Sequence, residues 1–174
     1  EGVAPYELSE SDTYLLESLR LEGDTNIISF KAPKDAKALS AEIHVLEDNG
    51  TWNAVEGGFG TVLLEERADR LEGTFSMLLK EDYSVEMNII TVAGRTSMLS
   101  KDLDIDYEIT SSYKTFLNDF QEIELNKEIP IAIMAYDSST SIRSYSMDSF
   151  FSPSEFEGVD LVQVVTLTFI DKVD

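Results

Sequence analysis

No cysteine occurs among the 174 residues of the chain. That excludes a disulfide framework, a thiol nucleophile and every zinc or iron–sulfur centre built on thiolates. Histidine occurs once, as His44. A Ser-His-Asp triad would have to use it, yet there is no G-x-S-x-G elbow to expose a serine. One histidine without cysteine also puts the usual zinc sites out of reach. On the polar side of its strand, His44 reads as a plain surface histidine. Basic residues are scarce too: 13 Lys and Arg stand against 34 Asp and Glu, a net charge of −21. Nucleic-acid binding needs Lys and Arg to displace counterions, so so acidic a body repels a phosphate backbone and an anionic lipid surface alike. Cations and neutral ligands stay open. No apolar run reaches the roughly 20 residues of a membrane-spanning helix. Repeats and Pro- or Gly-rich linkers are also missing.

What is present is a strand former's sequence. Hydrophobic residues make up 43% and aromatics 10%, enough for a core and too many for disorder. Apolar residues alternate with period two, the mark of a half-buried strand. Ile43 and Val45 oppose Glu42 and His44, and Val85, Met87 and Ile89 oppose Glu86 and Asn88. Asn26–Ala32 and Leu71–Leu79 follow the same rule. Ile129–Tyr136 and Val162–Ile170 are apolar on both faces, as central strands would be. Asn49-Gly50 separates Ile43–Leu46 from Trp52–Val55 and marks a hairpin turn, both positions tolerating positive φ. Strands recur every 8–12 residues or so, which predicts an all-β fold, an antiparallel β-sandwich of about ten strands with a jelly-roll arrangement among its forms. Helix is confined to the margins: Tyr6–Ser18 behind a Ser9 or Ser11 cap, and Lys114–Phe120. Length favours a single domain over residues 1–174; the alternative splits the chain into 1–103 and 104–174 at a dense acidic stretch.

That stretch is the first candidate site. Asp102, Asp104, Asp106 and Glu108 alternate, and on a strand they would line one face with hard oxygen ligands suited to calcium. An EF-hand loop fits badly, because Tyr107 takes its glycine position and Tyr113 its closing glutamate. A solvated strand face explains the run more simply. Two of the many carboxylates could instead serve a glycosidase as acid and base. Gly57-Gly58-Phe59-Gly60 lacks the lysine of a phosphate loop and reads as a connection or bulge. Lys31, Lys34 and Lys37 flank the Pro33 turn as a solubilising cluster. Asn49-Gly50-Thr51 matches a glycosylation acceptor, but the hairpin turn accounts for it.

The most unusual segment runs from Asp137 to Gly158, with eight serines beside Tyr145, Phe150, Phe151 and Phe156. So long a connection is uncommon in a compact domain and is often functional. Exposed aromatics beside hydroxyls and carboxylates would suit a sugar or a protein partner. The plainer reading makes Ile142–Met147 one more strand and tucks the phenylalanines under the sheet edge.

Asn126–Tyr136 (Asn-Lys-Glu-Ile-Pro-Ile-Ala-Ile-Met-Ala-Tyr), the stretch Gly158–Phe169, Phe30-Lys-Ala-Pro33 and the hairpin reaching Trp52 resemble the uncharacterised secreted lipoproteins of Gram-positive bacteria. The resemblance implies a β-sandwich outside the cell, tethered through an N-terminal lipidated cysteine. The chain opens on Glu1-Gly2 rather than Met, as it would after removal of a tag or a secretory signal, and the implied anchor would lie ahead of Glu1. No catalytic residue carries over from the group. The expectation is a non-enzymatic extracytoplasmic binding or adhesion module at a bacterial surface, with a glycan or protein as partner, and with calcium as the one cofactor to test for. A hydrolase using paired carboxylates and a structural subunit of an envelope assembly are the alternatives.

Overall fold

The computed structural model describes residues 1–173, and its architecture is two antiparallel sheets packed face to face. One sheet holds β1 (Gly2–Pro5), β2 (Thr25–Lys31), β5 (Glu72–Leu79), β6 (Val85–Thr91), β7 (Gly94–Leu99) and β9 (Gln121–Glu122). Its strand order is β7-β6-β5-β2-β1-β9. The other holds β3 (Ala38–Leu46), β4 (Trp52–Leu63), β8 (Ser111–Phe116), β10 (Glu128–Asp137) and β11 (Leu161–Ile170), in the order β4-β3-β11-β10-β8. The chain is thus an all-β sandwich.

The period-two alternation is what closes it. Ile28, Phe30, Phe75, Met77, Met87 and Ile89 point inward from the first sheet. Leu39, Ile43, Val165, Leu167 and Phe169 meet them from the second. The rings of Phe30 and Phe169 touch across the interface with centroids 5.8 Å apart. Each such fully buried side chain stabilises the fold by roughly 1.5–3 kcal/mol relative to exposure.

β10 and β11 sit side by side in the middle of the second sheet, and both of their faces are buried. Their inward residues join the main core. Ile133, Ala135, Val162 and Val164 face the other way and belong to a separate, smaller core on the outer side of the sheet. That is why their sequences are apolar without alternation.

Helix is marginal, as expected. Helix α1 (Glu10–Ser18) begins behind Ser9, whose Oγ accepts from Asp12 N at 3.1 Å while Asp12 Oδ2 accepts from Ser9 N at 2.9 Å. This reciprocal pair is a capping box with Asp in the place of Glu. The second helix anticipated, over Lys114–Phe120, does not form. Lys114–Phe116 belongs to β8, where Tyr113 pairs with Ala135 and Thr115 with Ile133. A helix this short is unfavourable in isolation, and pairing to β10 satisfies the same backbone groups.

In β4 the glycine run makes a large bulge. Glu42 pairs with Phe59 and His44 with Ala54, so four residues of β4, Val55 to Gly58, stand opposite Ile43. Gly57 sits there at φ +73°, and a Cβ on it would lie 2.7 Å from the Leu99 carbonyl oxygen. Only glycine fits both conditions.

Candidate functional site

Residues 138–160 connect β10 to β11, which are immediate neighbours, so the segment leaves the sheet and returns to it at one place. Its two ends are fastened together. Ser138 N donates to Asp160 Oδ2 at 2.7 Å, and Asp160 N donates to Asp137 Oδ1 at 3.3 Å. The bonds from Ser138 hold the Asp160 carboxyl below the usual range. Between these ends the arm lies across the outer face of the second sheet. No strand forms over Ile142–Met147; the arm is irregular until two 3₁₀ turns, Met147–Phe151 and Pro153–Phe156.

The arm's aromatics divide sharply. Tyr145, Phe150 and Phe156 are buried, Phe156 at 1% exposure. Phe156 packs between Trp52 and Tyr145, with centroids at 5.9 and 4.5 Å. Phe150 stacks on Trp52 at 5.3 Å, and Trp52 Nε1 donates to the Phe150 carbonyl at 3.0 Å. These three build the second core and are not available to a ligand. The phenylalanines cover the open face of the sheet instead of its edge. Phe151 is the exception, 64% exposed. It stands at a cleft of about 460 Å³ together with Met147, Asp148, Pro130, Glu122 and Lys127. Glu128 also lines this cleft.

Glu128 leads to the one histidine. His44 is 8% exposed, so it is a buried group and not a surface one. Alternation placed it correctly on the outer face of β3, but that face is roofed here by Phe150, whose ring lies 6.0 Å from the imidazole. Three oxygens from three strands crowd His44 Nε2: Glu128 Oε1 at 2.9 Å, Thr166 Oγ1 at 3.3 Å and Glu42 Oε2 at 3.7 Å. Thr166 Oγ1 also donates to Glu128 Oε1 at 3.1 Å. Register explains the meeting. Glu42 pairs directly with Thr166, His44 with Val164, and Glu128 with Thr168 one step along.

The acidic run behaves differently. Residues 101–110 form no strand. Leu103, Ile105 and Ile109 pack against the main core, which turns Asp102, Asp104, Asp106 and Glu108 out to solvent. These four carboxylates do not converge. Among the described residues, the His and acid side chains that gather three ligand atoms within 4.8 Å of one another are Glu42, His44 and Glu128. What the run does supply is Tyr107, whose hydroxyl donates to the Asp160 carbonyl at 3.0 Å. There it helps line a second cleft of about 550 Å³, between the Asn49-Gly50 turn and the return of the arm.

Fold and site together define an all-β sandwich carrying a partial third layer, with a solvent-facing cleft and a histidine–carboxylate cluster at that layer's margin. No protein-family model, curated protein or solved structure matches the chain. Among the described residues no helix is long and apolar enough to cross a membrane.

Proposed function

We propose that the chain is a non-enzymatic binding module working outside the cytoplasm at a bacterial cell surface, and that a neutral, hydroxyl-rich ligand of the glycan class occupies the cleft beside Phe151. The supporting observation is Phe151 itself. It is a large aromatic ring left in water next to Met147 and Pro130, while its neighbours Tyr145, Phe150 and Phe156 are all enclosed. An exposed aromatic face accepts the C–H face of a sugar, and Glu122, Asp148 and Gln121 offer acceptors for its hydroxyls. The surplus of acids disfavours an anionic ligand in the same place.

The test is a glycan array followed by titration calorimetry on the best binder. Binding that falls at least tenfold in Phe151→Ala, with a cooperative melt showing the variant folded, supports the reading. A blank array together with an empty pull-down from envelope fractions sinks it. Release of new reducing ends from the bound glycan would instead establish a hydrolase.

A further inference from the structure

The geometry points to Glu42, His44 and Glu128 as a binding site for a divalent first-row transition-metal ion, of which zinc suits the donor set best. This goes beyond the cleft reading and does not depend on it, although Glu128 borders both places. One imidazole nitrogen and one carboxylate oxygen from each of Glu42 and Glu128 converge within 4.8 Å of one another. A metal ion bonds all the donors at once. At metal–ligand distances of about 2.0–2.1 Å, tetrahedral N and O donors stand about 3.3 Å from one another. The observed separations from Nε2, between 2.9 and 3.7 Å, bracket that value.

The surroundings suit an ion as well. The donors come from β3 and β10, which flank β11 in the middle of a five-stranded sheet, so their spacing is fixed by backbone ladders. Thr166, on β11 between them, donates to the Glu128 carboxylate and orients it, as partners behind a metal ligand commonly do. Phe150 closes one side of the imidazole. Glu42 and Glu128 keep 31% and 38% of their side-chain surface in contact with solvent, which gives an ion a way in and leaves a position for water. Two carboxylates neutralise a dication. The imidazole ligand selects zinc and its neighbours in the first transition row over calcium and magnesium, which prefer oxygen throughout.

His44 is the only histidine of the chain, so its ring nitrogen signals need no mutagenesis to assign. The full chain is stripped with chelator, exchanged into a non-chelating buffer and titrated with zinc chloride, by calorimetry and by ¹⁵N–¹H correlation of the imidazole. One equivalent of zinc should bind, with a large displacement of the Nε2 signal, and millimolar calcium should not reproduce it. Glu128→Gln should weaken zinc binding at least tenfold, and Glu42→Gln should do the same. Asp104→Asn combined with Asp106→Asn should leave it unchanged. Far-UV circular dichroism and a thermal melt establish that each variant is folded. An imidazole spectrum unmoved by saturating zinc overturns the proposal, because any zinc then bound sits on surface carboxylates. So does wild-type affinity in a folded Glu128→Gln variant. Either failure leaves the glycan reading untouched, since the array and Phe151→Ala test that separately.

Discussion

Phe151 and Phe156 are five residues apart and chemically identical, yet the structure assigns them opposite consequences. Phe156→Ala removes a ring enclosed by Trp52 and Tyr145 and should lower stability by about 3–5 kcal/mol. Phe151→Ala removes a ring that is 64% exposed and meets Phe150 edge to face at 5.1 Å, and should cost no more than about 1 kcal/mol. Urea denaturation followed by the fluorescence of Trp52, the only tryptophan, reads both. At the arm's clamp the relevant variable is pH. Asp160 has a folded pKa depressed by its bonds from Ser138, so it contributes stability above its unfolded value of about 3.9. That contribution disappears as pH falls through the lower folded value. Asp160→Asn should therefore unfold at lower denaturant than the native chain at pH 6, with the gap narrowing steadily as pH is lowered from 4 to 2. How little of this a sequence reveals is clear from His44. Its alternation fixes its face, but its burial comes from Phe150, and its partner Glu128 lies 84 positions away. Nothing local to residues 41–45 carries either fact.

Strands were legible in proportion to how much core they bury. The alternating runs through Ile43, Phe75 and Met87 and the apolar runs of β10 and β11 announce themselves, because each places several residues in the interior. β1, β7, β8 and β9 do not: they are short, three of them lie at sheet edges, and β7 contributes only Met98 to the core. Such strands are defined by pairing with a neighbour more than by their own pattern. The helix presents the reverse case. α1 is announced by its cap, yet none of its residues is buried, so it is held largely by local bonds. Ser9→Ala, which removes a cap of about 1 kcal/mol, should speed amide exchange throughout residues 10–18 while shifting the global melt hardly at all. Gly57→Ala should do the opposite. It forces a side chain into positive φ and against the Leu99 carbonyl, and a loss of about 1–3 kcal/mol should appear in the global transition.

Over the whole molecule the dominant fact is the charge of −21. Its acids are spread over the surface, and their mutual repulsion weakens the compact state. Raising sodium chloride from 10 to 150 mM shortens the screening length from about 30 to about 8 Å. The melting temperature should rise over that interval, even though exposed ion pairs such as Lys31–Glu72 and Lys101–Glu56 lose attraction at the same time. A flat or falling response would mean that those pairs outweigh the surplus. The strand order carries a different consequence, one of timing. β3 takes its inner neighbour from β11, with Ala38 against Ile170 and Val45 against Gln163. During synthesis at about 5–20 residues per second, roughly 6–25 s pass between the emergence of the two strands. For the later part of that interval the nascent chain carries a β3–β4 hairpin whose β3 edge still lacks β11, while β2, β5, β6 and β7 of the other sheet are all available to pair. Half of the sandwich can therefore assemble on the ribosome, and the other half must wait for its centre to be made.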